Sequence, residues 1–199
     1  MQKIKIHKLG PISDCEVSIK GFMVLTGPQA SGKSTLAKSI FFFKNMKNVL
    51  LELLRKNILL SGFDLIEMSC KNRFIREIRL NFLQTFGSTW CMSKEMYLEY
   101  QFTPTRWIRI SLTDDAMRPN YIWIDMSEEL QSFLYKLDKM DFFDLWHDQS
   151  SEVKKEMETF FEDTREIIYI PAGRSLITLL YTKLPREDFA VKDIFFNRL

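Results

Sequence analysis

The chain is poor in the residues that build metal centres and disulfide frameworks, with three cysteines and two histidines among 199 residues. Cys15, Cys70 and Cys91 are odd in number and widely separated, so no pair has the close spacing of a zinc site. Free, reduced thiols are expected. His7 and His147 have no ligand-spaced partner either, and both read as structural or exposed. Long apolar runs are also missing. No segment reaches the roughly 18 to 20 uninterrupted apolar residues of a membrane-spanning helix. The opening Met1-Gln2-Lys3-Ile4-Lys5-Ile6 alternates polar and apolar, unlike a secretion signal. A cytoplasmic protein without membrane contact is expected. The net charge of +2 is too small to mark a nucleic-acid or anionic-membrane surface. Internal repeats and low-complexity tracts are lacking as well.

What is present is the balance of a folded protein, 46% hydrophobic and 27% charged, at a length that suits one domain. Residues 3–9 and 15–20 alternate around Gly10-Pro11 and predict two half-buried antiparallel strands. Phe22-Met23-Val24-Leu25 is continuously apolar and stops at Thr26-Gly27, which predicts a fully buried strand. Leu36, Ile40, Phe43, Met46, Leu50 and Leu53 then recur at helical steps. A second helical pattern covers 64–83 and breaks at Gly87. The aromatic and β-branched stretch 96–125 predicts a small antiparallel sheet with turns near 103–105 and 113–120. Residues 127–165 are again helical in pattern, and Ile167-Ile168-Tyr169-Ile170 reads as a short buried strand stopped by Pro171-Ala172-Gly173.

One segment carries chemistry. Gly27-Pro28-Gln29-Ala30-Ser31-Gly32-Lys33-Ser34 matches G-x-x-x-x-G-K-[ST] completely, with an apolar run before it and a helical pattern after it. In such a loop successive backbone N–H groups form an anion nest and the helix N-terminus adds partial positive charge. Lys33 is placed to reach the terminal phosphates, and the Ser34 hydroxyl to ligate magnesium. The expected ligand is a nucleoside triphosphate, ATP with Mg2+; no Asn-Lys-x-Asp guanine-reading motif occurs.

Two strands before the loop, the phrase Leu9-Gly10-Pro11-Ile12, and the loop continued through Thr35-Leu36-Ala37-Lys38 resemble the start of the bacterial ABC-class ATPases related to SMC, RecF and OLD proteins. Tyr169-Ile170-Pro171-Ala172-Gly173-Arg174-Ser175 is similar to a strand-to-helix junction of OLD-like ATPases. The resemblance touches both ends of the chain; the middle matches only in pattern. It implies an α/β fold, the P-loop NTPase lobe of ABC/SMC type: a mixed sheet, an additional small antiparallel sheet and flanking helices. It implies a nucleotide site of Gly27 to Thr35, with Arg174 standing where such ATPases usually carry a glutamine that senses magnesium and water. No Leu-Ser-Gly-Gly-type signature is found. Residues 1–199 are therefore expected to be a single N-terminal lobe, a fragment or split half, whose C-terminal lobe or complementary subunit supplies the rest. An ATP-dependent homodimer, with a role in phage defence or DNA maintenance, follows from the same likeness, and nucleic acid stays open as a partner. The alternative is a small P-loop phosphotransferase, although such kinases usually begin on the loop's own strand.

Other candidates read as structural. Asp125 ends Tyr121-Ile122-Trp123-Ile124 as a Walker B carboxylate would, with Glu128 and Glu129 nearby, but the stretch reads as an antiparallel meander and the carboxylate as a helix cap. Lys71, Arg73, Arg76 and Arg79 read as a solvated helix face. Trp107 and Trp123 read as core.

Overall fold

In the computed structural model, residues 1–60, 68–115, 118–139, 150–165 and 167–169 are described. Strands β1 (Lys3–Leu9) and β2 (Ile12–Ser18) form a hairpin on the two-residue turn Gly10-Pro11. Three helices follow: α1 (Lys33–Lys44), α2 (Met46–Leu60) and α3 (Cys70–Phe86). The meander β3 (Tyr97–Thr103), β4 (Arg106–Asp115) and β5 (Arg118–Met126) comes next, then α4 (Glu128–Asp138) and α5 (Ser150–Phe161).

The strands join into one antiparallel sheet in the order β2-β1-β3-β4-β5. The fold is α/β, and among the described residues the sheet is neither mixed nor accompanied by a second one. The hairpin and the meander, expected to lie apart, are joined because β1 pairs with β3, Ile4 facing Tyr100 and Ile6 facing Leu98. The alternation that predicted each strand also sets their shared register, since every second residue falls on the buried face. Ile4, Ile6, Leu98, Tyr100, Ile108, Ile110, Ile122 and Ile124 line that face. The helices cover it; the Phe43 ring of α1 stacks on Tyr100 with centroids 5.3 Å apart. The opposite face carries charged and aromatic side chains, Trp107 and Trp123 among them. Glu16, Lys5, Glu99, Arg109 and Asp125 form a row of alternating charge across all five strands. Such half-exposed pairs contribute little stability, but they keep this face in water.

The single helical stripe of 36–53 is divided by Asn45 into α1 and α2. Helix α3 starts at Ser69, whose hydroxyl accepts from the Asn72 N–H, and stops at Gly87 with φ of 84°. Its basic residues are not simply solvated. Lys71 donates to Gln131 of α4, while Arg79 donates to the Ile122 carbonyl and lies 4.5 Å over the Tyr121 ring; Arg76 is exposed. All three cysteines are free. Burial, then the Asp138 charge, pushes the Cys70 thiol up to about 12, which makes it inert.

The end of α5 is clasped by side chains from distant parts of the chain. Arg106 donates to the Phe160 carbonyl and Gln2 to those of Phe161 and Glu162. The Gln2 side chain in turn accepts from the Tyr100 hydroxyl at 2.6 Å. Lys44, the last residue of α1, pairs with Asp163 at 2.7 Å. Lys47, only 4% exposed, donates to the carbonyls of Asp163 and Arg165. Cations at a helix C-terminus satisfy its last carbonyls and oppose its dipole. Lys47→Met keeps most of the apolar stem and removes the donors, so a loss of about 2 kcal/mol in urea unfolding is expected. A loss under about 0.5 kcal/mol would show that the carbonyls find other donors.

The helical readings of 64–67 and 140–149, His147, and the junction from Ile170 through Arg174 and Ser175 lie outside the described residues. Residues 167–169, expected in a strand, join no ladder, and the Tyr169 ring stands 5.5 Å from Phe41 of α1. No described helix is long and apolar enough to cross a membrane.

Candidate functional site

The fully buried strand expected at 22–25 is not formed. Residues 22–26 join no ladder; Phe22 and Val24 are 83% and 68% exposed, while Met23 and Leu25 are half-buried and Leu25 packs on the core. A continuous apolar run is stable as a strand only when both of its faces are covered. Among the described residues, one face is.

From Gly27 the chain turns back on itself. Gly27, Ala30 and Gly32 all have positive φ, at 148°, 61° and 90°. A Cβ on Gly27 would stand 3.2 Å from the Ser31 hydroxyl, so the two sides of the loop nearly touch. The left-handed geometry at Ala30 costs about 1 kcal/mol for a residue with a side chain, and it was not legible in the sequence. Lys33 opens α1 and its ammonium reaches back into the loop. It donates to the carbonyls of Gly27, at 2.7 Å, and of Pro28, and meets the Ser31 hydroxyl at 3.2 Å.

The N-terminus of α1 is left available. Its N-cap is Gly32, which has no side chain to accept from the first-turn amides, and no acidic residue lies in the first turn. Orphan N–H groups and the positive end of the helix dipole therefore meet solvent beside an ammonium. Ser34 is exposed in that same turn. Pro28, Gln29, Ala30 and Ser31 are exposed around it, and Thr35 is half-buried under Gly10. The donors are those an anion would need, a cation, the uncapped first-turn amides and a hydroxyl, with no acidic residue in the first turn of α1. A triphosphate fits this chemistry, and Ser34 offers a hard oxygen ligand suited to Mg2+. Among the described residues no group of three or more His, Cys, Asp or Glu could hold a metal by itself.

The other candidates lie elsewhere. Asp125 is on β5, antiparallel to β4, and its carboxylate accepts from the Trp123 indole N–H at 2.9 Å on the open face of the sheet. It caps no helix; the Ser127 hydroxyl does that, accepting from the Leu130 N–H. Glu129 is held below the usual carboxylate range by hydrogen bonds from Thr105 and Arg106, the Arg106 pair being 2.7 Å. That makes it a poor proton acceptor. His7 stacks on Tyr97 and pairs with Asp14. Trp107 is half-buried and Trp123 is 48% exposed, so neither belongs to the core that was expected to hold them.

Two features of the loop went unseen in the sequence. Lys33 ties the loop to itself, and the β1–β2 turn lies against Gly32. Neither has a periodic signal, because both are contacts made across a turn. Compared with known proteins, the chain matches no family model, no curated protein and no solved structure.

Proposed function

We propose that this chain is the ATP-binding lobe of an SMC-, RecF- or OLD-like ATPase, a P-loop lobe that holds ATP with Mg2+ between residues 27 and 35. The observation that carries the reading is the Lys33 ammonium drawn into a loop of three positive-φ residues at an uncapped helix N-terminus. In this reading the loop amides and α1 bind the phosphates, Lys33 neutralises the terminal ones, and Ser34 ligates Mg2+. When bound, the metal supplies charge neutralisation across the terminal phosphates.

Turnover needs more. A water must be activated by a carboxylate, and donors must face the γ-phosphate from the far side. Among the described residues neither is at hand: Asp125 and Glu129 are engaged elsewhere. We assign both to a C-terminal lobe or complementary subunit, with ATP joining two copies and Arg174 contributing at the junction. The uncovered apolar face of Phe22 and Val24 supports such a partner, which would complete the strand before the loop. Phage defence or DNA maintenance is the setting that the likeness suggests.

The test is phosphate release and equilibrium binding on the highly purified chain. Binding of a labelled ATP analogue with Mg2+, together with turnover far below about one per second, is expected. Turnover at or above that rate, absent in Lys33→Ala, would mean the chain holds its own catalytic carboxylate. If it also requires an added acceptor, the chain is a small phosphotransferase. Absence of binding would remove the nucleotide reading.

A further inference from the structure

The tip of the β1–β2 hairpin is packed on the hinge between the loop and α1. Ile12 is buried, and its Cγ1 stands 2.5 Å from the place a Cβ on Gly32 would take; its Cδ1 is at 3.2 Å and the Pro11 Cγ at 3.6 Å. On the other side of the tip, the place of a Cβ on Gly10 is 3.7 Å from the Thr35 hydroxyl. Gly32 is consequently buried, while Ser31 before it and Ser34 two residues on are exposed. The loop from Gly27 to Ser31 is open to solvent along its whole length. Where it enters α1, the loop meets the hairpin tip at Gly32.

A glycine at φ of 90° has neighbouring conformations of similar energy, and each would aim the following amides differently. A side chain seated on it removes those alternatives before ligand arrives. Ile12 is well placed for that task, since Leu9 pairs with it to close the hairpin and the hairpin is continuous with the five-stranded sheet. Groups held by rigid elements bind better than groups held by a free loop.

Resting on the triphosphate reading of residues 27–35, we propose that Ile12 is a positioning residue: its side chain locks Gly32 so that the loop amides and the first turn of α1 converge on phosphate. Ile12 touches no ligand and acts only through Gly32.

The test compares wild type, Ile12→Ala and Ile12→Val in the full chain. The readouts are equilibrium binding of a fluorescent ATP analogue with Mg2+, and hydrogen exchange of backbone amides. Ile12→Ala should bind about tenfold more weakly, and exchange should rise at 30–35 while β3 to β5 keep their protection. Ile12→Val should recover most of the affinity. Wild-type affinity in Ile12→Ala overturns the proposal, as does a loss accompanied by equal loosening of β3 to β5, which would be a global effect. If Ile12→Ala does not fold, Ile12→Val is read by the same criteria, with a smaller loss expected. If the wild type shows no Lys33-dependent binding, the triphosphate reading falls by itself. Exchange then decides the positioning role: a local rise at 30–35 supports it and unchanged exchange overturns it.

Discussion

Lys33→Ala is expected to weaken ATP binding by about ten- to a hundredfold, since one charge-assisted hydrogen bond to the phosphates, worth roughly 1.5–3 kcal/mol, is lost. The ammonium has three donors. Two are directed to the carbonyls of Gly27 and Pro28, and the remaining contact, at 3.2 Å to Ser31, is the longest and the most readily exchanged for a phosphate oxygen. The substitution therefore removes a ligand contact and also unties the loop. Its effect on global stability should stay within about 0.5 kcal/mol, because the loop is exposed and carries no core residue. Equilibrium titration with a labelled analogue, beside a thermal melt, separates the two. A folded Lys33→Ala protein with unchanged affinity would remove the assignment of the loop.

Gly32→Ala is expected to damage both stability and binding, which distinguishes it from the lysine change. A side chain at φ of 90° is strained on its own account, by roughly 1–2 kcal/mol. The new methyl would also stand 2.5 Å from Ile12 Cγ1, in the middle of a buried side chain that cannot swing aside freely. Overpacking of this kind costs about 1–3 kcal/mol more. Combining it with Ile12→Ala should recover the steric part and leave the backbone part, so the two stability losses should not add. Urea unfolding of the two single variants and the double variant measures this. Strict additivity would show that the side chains do not meet.

The strands and the loop were legible for different reasons. Ile4, Ile6, Leu98, Tyr100, Ile108 and Ile110 alternate because one face of the sheet is buried, and that period is written directly in the residues. The turn at 27–32 was legible because its glycines mark a reversal of the chain, and Gly27 and Gly32 do take positive φ. The joining of hairpin to meander was not, since the pairing of Ile4 with Tyr100 spans a stretch of sequence with no local signature. Residues 22–25 misled because an apolar run records what a strand needs on its two faces, not what the described residues supply. Trp123 was read as core because it lies in an aromatic β-segment, but its place in the alternation sets it on the outer face beside Asp125. The clasp on α5 was invisible for a related reason: Gln2, Lys44, Lys47 and Arg106 converge only after the chain has folded.

The strand order has a consequence for how the molecule assembles. Hairpin β1–β2 and meander β3–β4–β5 are each built from neighbours in sequence, and each can form as soon as its own residues are free. The β1–β3 seam that unites them must wait for α1, α2 and α3, because all three helices lie in the connection between. Closing so long a connection costs entropy before the seam returns any contact, which places this step late and makes it slow. Until then one edge of β1, and with it Ile4 and Ile6, is open to other strands. During synthesis the first-made piece of the sheet is thus the one that stays exposed longest.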